Sequence, residues 1–258
     1  MTLQKAFNAK TVLITGHTGF KGSWLAAWLK QLGAKVVGIA LDPPTEPSHF
    51  FAAQLADGMV DLRIDIRNQV ALEEAIVSAQ PDFVFHLAAQ ALVRRAYEHP
   101  VETWQTNLLG TLHVLEALRK LDKPCAAVII TSDKCYDNVE WVWGYRETDA
   151  MGGPDPYSAS KGAAELSIRS YIKSYFPKAT SKVRIASARA GNVIGGGDWA
   201  ADRIVPDCVR AWSSDNFVEF RNPHSTRPWQ HVLEPLSGYL TLGEKLYENN
   251  RFNGETFF

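Results

Sequence analysis

The sequence predicts an α/β protein whose mostly parallel sheet is doubly wound, with helices on both faces. Three observations predict it. Short β-branched apolar runs alternate with stretches of helical apolar spacing, the pattern of βαβ units. The runs VLITG and AVIITSD are apolar without alternation, as strands covered on both faces must be. A glycine-rich turn follows the first of these runs directly.

Residues 11–16 are β-branched and apolar and read as the first strand. Residues 20–33 recur at helical spacing through Trp24, Leu25, Trp28 and Leu32 and read as the first helix. The runs 35–40, 59–66, 82–88 and 126–133 follow as further buried strands, and the clearest intervening helices are predicted over 68–79 and 101–121. A helix over 157–176 and a strand over 182–190 extend the sheet. After Gly191 the character changes: GNVIGGGDW is glycine-rich, and the elements beyond it are short. The predicted division is a Rossmann-type domain over 1–190 and, over 191–258, part of a smaller interleaved C-terminal substrate lobe with return elements to the first domain. An apolar strand has just begun at the last residues, NGETFF, which is the expectation for a truncated lobe.

With 258 residues and 46% hydrophobic content the chain can bury a full core. Its 27 basic and 28 acidic residues leave a net charge of -1, so neither nucleic acid nor an anionic membrane is an expected partner. The apolar run near the start is too short to span a bilayer and lacks a cleavage site. Cys125, Cys135 and Cys208 form neither a CxxC pair nor an even set, which argues against a disulfide frame or structural zinc and fits a reducing cytoplasm. His17, His86 and His231 lack metal-ligand spacing. No metal is expected, and these residues read as structural. Cys135 reads as a packing residue.

Gly16, Gly19 and Gly22 enclose Thr18, Phe20 and Lys21 in a GxxGxxG turn between the first strand and the first helix. Such a turn lets the backbone approach a pyrophosphate, whose charge the helix N-terminus favours. Asp42 lies twenty residues after Gly22, just past the second strand, where a carboxylate can accept hydrogen bonds from an adenosine ribose. The alternative is a turn residue ahead of Pro43 and Pro44. No Lys or Arg occurs between Gly38 and Phe51 to neutralise a 2'-phosphate, which favours NAD over NADP as the cofactor.

Tyr157 and Lys161 are four apart on a predicted helix and share a face. A nearby ammonium is expected to draw the phenol down toward neutrality and make it a usable base. Chance pairs of this spacing occur, so the context matters. Ser132 sits in Thr131-Ser132-Asp133-Lys134 at the end of the fifth strand, and strand carboxyl ends are where ligands bind an open parallel sheet. Ser132 can then hydrogen-bond the hydroxyl that Tyr157 deprotonates.

TGHTGFKG, HLAAQ, TNLLGT, TSDKCY, YSASK and RPWQHV occur in the order seen in extended short-chain dehydrogenases/reductases, which the chain resembles over nearly its whole length. Within that group it is most similar to the sugar-nucleotide 4,6-dehydratases. Many of these have Asp-Glu where this sequence has Asp133-Lys134, and that substitution with GHTGFKGSWL resembles the branch acting on CDP-glucose. The resemblance implies that NAD is bound by the glycine turn, by Asp42, Asp65 and Ile66, by Leu87, Ala88, Ala89 and Gln90, and by Tyr157 and Lys161. It implies that Tyr157 takes the 4-hydroxyl proton as hydride leaves C4. Lys134, if neutral, then removes the C5 proton while Asp133, if protonated, serves the departing 6-hydroxyl, and hydride returns to C6. Burial favours those protonation states, whereas a close Asp–Lys pair favours the reverse. Asn192, Arg203 and Arg227 are the substrate-binding candidates, since arginine suits a diphosphate. Surface salt pairing is the alternative for both arginines, and Trp199 and Trp229 are more simply core. Relatives pair through helices corresponding to 101–121 and 157–176, so a homodimer or homotetramer is expected. A sugar-nucleotide epimerase, a dehydratase for another nucleotide and a catalytically silent NAD-binding module are the rival readings.

Overall fold

The computed structural model describes residues 2–220 and 222–258; Met1 and Arg221 lie outside that description. Helix α1 (Leu3–Phe7) precedes β1 (Thr11–Thr15), α2 (Phe20–Gln31) and β2 (Lys35–Ala40). The short α3 (His49–Ala52), then β3 (Val60–Arg63), α4 (Gln69–Ala79) and β4 (Phe83–His86) follow. Next come α5 (Val93–Glu98), α6 (Pro100–Trp104) and α7 (Gly110–Arg119), the last two joined by a single π turn at Gln105–Leu109. β5 (Cys125–Ile130) leads through a 3-10 turn (Asp133–Cys135) to α8 (Pro156–Tyr175) and β6 (Val183–Ala188). The remainder is β7 (Asn192–Ile194), α9 (Ile204–Ser213), β8 (Trp229–His231), α10 (Leu233–Glu248) and β9 (Thr256–Phe257).

Seven strands form one sheet in the order β3-β2-β1-β4-β5-β6-β9, every neighbouring pair parallel. The chain runs outward from β1 to β3 and then returns to pair β4 on the other side of β1. That reversal opens a crevice at the carboxyl ends of β1 and β4, where Thr15 registers with both Ile39 and His86. Successive β1 side chains enter opposite cores. Val12 and Ile14 pack with Leu25, Leu29, Phe85 and Leu240 on the face of α2 and α10, whereas Leu13 packs with Leu72, Val114 and Ile168 on the face of α4, α7 and α8. This two-faced burial explains the absence of polar alternation in the strands.

Several elements differ from the sequence expectation. The third strand, expected over 59–66, covers only Val60–Arg63 and lies at the sheet edge with Val60 exposed. The fifth ends at Ile130 rather than 133, although Thr131 and Asp133 still donate backbone hydrogen bonds to Ala188 and Ala190. The long helix expected over 101–121 is broken by the π turn. Helix α1 was not foreseen; Phe7 anchors it, fully buried with its ring 4.6 Å from that of Phe83. The region 191–258 divides. β7 and β8 pair in a separate two-stranded sheet, while α10 packs in the core of the large sheet and β9 extends it.

Candidate active site

The glycine turn is built by close approach. Gly16 adopts φ +77°, and a Cβ there would lie 2.8 Å from the Ala88 backbone. A Cβ on Gly22 would stand 2.0 Å from the Gly16 carbonyl oxygen, so both positions require glycine. At Gly19 a Cβ would meet only that same oxygen, at 3.4 Å; internal packing does not demand a bare backbone there, whereas close approach of a ligand would. Gly19 caps α2 without a side-chain hydrogen bond, and the first helical turn carries no acidic residue. Its N–H groups are thus open to an anion, as a pyrophosphate needs. These features fit a dinucleotide. Thr18 is turned inward and donates to the Leu41 carbonyl at 2.9 Å, and Phe20 packs against the glycine loop near Gly195.

Other predicted cofactor residues ring the crevice. Asp42 lies just past β2 with its side chain 93% exposed, 3.7 Å from Arg63. That cation, brought from β3, was outside the local window searched for positive charge; its guanidinium is held by the Leu41 carbonyl and by Asp61. The Asp65 carboxylate is held by Arg67, which also keeps it below its ordinary pKa. Ile66 is buried against Gly110. Leu87 and Ala88 bond Thr15 through their N–H groups, and Ala89 follows them on the crevice rim. Gln90 faces inward instead: its amide donates to Leu92 and Thr103 and accepts from the Leu92 N–H.

At the end of β5 the predicted catalytic residues converge. Asp155 caps α8 by accepting from the Ser158 N–H, which sets Tyr157 and Lys161 on successive turns, 8% and 6% exposed. Burial pushes the Tyr157 phenol above its ordinary value, while a hydrogen bond with the Ser132 side chain pulls it down. The expected net fall toward neutrality is therefore corrected: desolvation of the phenolate, with Asp133 and Asp155 acting the same way, outweighs the pull of Ser132 and Arg203. The Ser132 hydroxyl donates its one proton to Asp133 at 2.9 Å, so Ser132 stands between Asp133 and the Tyr157 phenol it influences. Burial lowers Lys161 to about 8.

Lys134 is exposed, so the burial expected to strip its charge is absent from this side chain. The desolvated second amine is Lys21, drawn down to about 8 by burial and by the nearby charges of Lys161 and Arg203, with Asp133 opposing. Lys21 lies 5.8 Å from the Tyr239 ring centre. Sequence reasoning placed it only in the cofactor turn; no local signal reveals that α2 points it at the ends of β5 and α8.

A polar network backs the pair. His86 Nδ1 and Nε2 meet Thr15 at 2.7 Å and Thr111 at 3.1 Å. Burial, with the charge of Lys161, holds this imidazole down to about 3, so it is neutral. Asn107, on the π turn, accepts from the Gln90 N–H and donates to the Ser160 hydroxyl, which donates to the Tyr157 carbonyl. Asn107 escaped the sequence search because TNLLGT carries no sign of the helical irregularity that turns it inward. Cys135 is packed away, its thiol pushed up to about 12 by burial.

Of the substrate candidates, Arg203 is brought in: it bonds Asp198 at 3.3 Å, its Nε is buried without a partner among the described residues, and its charge reaches Tyr157. Asn192 begins β7 in register with Trp229. Arg227 remains exposed, bonded to the Thr226 carbonyl. The structure therefore does not gather Arg227 with the catalytic groups. The lobe is tied to the large domain by Trp24, whose indole donates to the Gly196 carbonyl at 2.9 Å and stacks on His49.

A parallel sheet with this switch point, a glycine cradle at an open helix N-terminus, and a Ser, Tyr and Lys at the strand ends define an extended short-chain dehydrogenase/reductase. Residues 13–245 match the family model described as GDP-mannose 4,6 dehydratase, and the chain belongs to that family. It is 54% identical over 244 residues to the CDP-glucose 4,6-dehydratase of Salmonella typhimurium strain LT2, covering 93% of this chain and 68% of that protein. Among solved structures, the UDP-glucose 4-epimerase of Thermotoga maritima with UDP-glucose superposes with a TM-score of 0.81 at 21% identity, over 96% of this chain and 76% of that one. The dTDP-glucose 4,6-dehydratase of Streptomyces venezuelae with NAD and TYD bound gives a TM-score of 0.81 at 20% identity, over 95% and 74%. These two likenesses speak to the fold.

Proposed function

We propose that this protein is a hydro-lyase that converts CDP-glucose to CDP-4-keto-6-deoxyglucose with NAD as its resident cofactor. The observation that carries the reading is the convergence of Tyr157, Ser132 and Asp133 at the end of β5, with the Ser132 hydroxyl donating to Asp133 at 2.9 Å and its side chain acting on the Tyr157 phenol. It sets a base for a sugar hydroxyl beside an acid able to serve a departing one. The 54% identity to a CDP-glucose 4,6-dehydratase supports the choice of sugar nucleotide. NAD, held by the Gly16–Gly22 cradle, Asp42 and Lys161, supplies a hydride acceptor, a positive charge in the pocket, and then a hydride donor.

Tyr157 accepts the 4-hydroxyl proton while Ser132 holds that oxygen in place. Lys161 stabilises the phenolate. With C4 oxidised, the C5 proton is acidic. Lys134 as the free amine takes it and returns it to C5 after water has left, and Asp133 in its acid form protonates the departing 6-hydroxyl. Arg203 binds the diphosphate, and Asn192 is a second substrate contact.

The assembly we propose is a cytoplasmic homodimer or homotetramer feeding deoxysugar synthesis. Exposed Val101, Trp104 and Leu109 and, on α8, Leu166 and Tyr175 support pairing through these helices, and sedimentation at micromolar concentration would show a single 28.7 kDa species if it is wrong. Tyr157→Phe tests the chemistry. Turnover should fall by about 10² to 10⁴ with NAD affinity retained, and undiminished turnover would remove Tyr157 from the mechanism.

A further inference from the structure

Residues 157, 161 and 165 stand on successive turns of α8 and share a face. The third is Glu165, 3% exposed. Its carboxylate is anchored from the ends of the two strands beneath it: Thr131, just past β5, donates to Oε1; Ser187 on β6 donates to Oε2 at 3.0 Å; Arg189 Nε donates to Oε1 at 3.0 Å. Arg189 is itself 4% exposed, and its Nη1 donates to the Tyr136 hydroxyl at 2.7 Å. These bonds fix a buried carboxylate on the helix face it shares with Lys161, one turn away.

We propose that Glu165 is a positioning residue that keeps Lys161 in its ammonium form, with Arg189, Thr131 and Ser187 fixing the carboxylate that does so. The proposal rests on Tyr157 and Lys161 being the reacting pair. A neutral amine cannot stabilise a phenolate, and burial drives Lys161 toward neutrality. The groups facing it are Lys21 from α2, of like charge; His86 from β4, neutral; Cys135 from the 3-10 turn, a thiol held up at about 12; and Tyr157 and Glu165 on α8. Among them Glu165 is the one carboxyl group, and it is the largest influence opposing burial at Lys161. An ion pair serving stability alone would be complete with Arg189; the placement one turn beyond Lys161 adds a function for the charge.

The test is the pH profile of CDP-glucose turnover in Glu165→Gln, which keeps size and hydrogen-bonding capacity but removes the charge. A lost neighbouring charge lowers an amine by about 1 unit or more. The alkaline limb should move down accordingly, with turnover about tenfold below wild type near pH ~9 and within about twofold near pH ~6.5. Glu165→Asp should restore most of the limb. A folded Glu165→Gln variant with the wild-type limb overturns the proposal. Tyr157→Phe separates the two levels: if it keeps full turnover the reacting pair is wrong, whereas an inactive Tyr157→Phe beside an unshifted Glu165→Gln leaves the pair standing and removes Glu165. Should Glu165→Gln not fold, competitive acetylation of Lys161 in the wild-type chain reads its pKa directly. A value above the pH of turnover supports the proposal, and one below it, which would leave the amine neutral in the working enzyme, overturns it.

Discussion

At the scale of single residues, the site is a balance between burial and charge. His86 shows the sign. Its imidazole is held at about 3 against an unfolded value of 6.5, so the folded chain binds fewer protons than the unfolded one between those limits. Stability is therefore full above pH ~6.5 and is lost as pH falls, by about 1.4 kcal/mol per unit from this group alone. The buried His17, also lowered by desolvation, acts in the same direction. Denaturant titration should show a loss of about 2 kcal/mol from His86 between pH ~6.5 and ~5, and His86→Gln should flatten the slope by that amount; equal slopes would contradict the assignment. Residue identities at the site were largely legible in the sequence, because Ser132, Tyr157 and Lys161 sit in short strings whose spacing fixes their faces. Their charge states were not. Lys134 is exposed while Lys21 is half-buried and its charge desolvated, and that difference depends on how α2 meets the ends of β5 and α8.

At the scale of elements, the turn from β1 into α2 decides cofactor binding. The Gly22 Cβ position, 2.0 Å from the Gly16 carbonyl oxygen, leaves no room for any side chain without moving backbone. Gly22→Ala should raise the Kd for NAD by at least about tenfold, the equivalent of about 1.4 kcal/mol. Gly238→Ala on α10, where a Cβ meets nothing within 4 Å, should leave binding unchanged and gain about 0.5–1 kcal/mol of helix stability. Isothermal titration and thermal melts on the two variants read both effects, and unchanged NAD affinity in Gly22→Ala would dissociate the turn from the cofactor. The strands and long helices were legible because apolar period and length agree. What escaped is set by tertiary packing: α1 exists because Phe7 is buried beside Phe83, and the π turn exists where Asn107 is drawn toward Gln90 and Ser160.

At the scale of the whole molecule, the strand order brings the glycine turn, the rim after β4 and the catalytic turn after β5 to one crevice. The expectation of return elements within 191–258 did not say which they are: α10 packs on the large sheet and β9, only two residues long, pairs with β6, a pairing invisible locally. No helix among the described residues is long and apolar enough to cross a membrane. The reaction itself is read by incubating the protein with CDP-glucose, dTDP-glucose, UDP-glucose and GDP-mannose in the presence of NAD. A 4-keto-6-deoxy product is expected from CDP-glucose without net accumulation of NADH. A 4-epimer, stoichiometric NADH, or no product from any of the four with NAD still bound would contradict it.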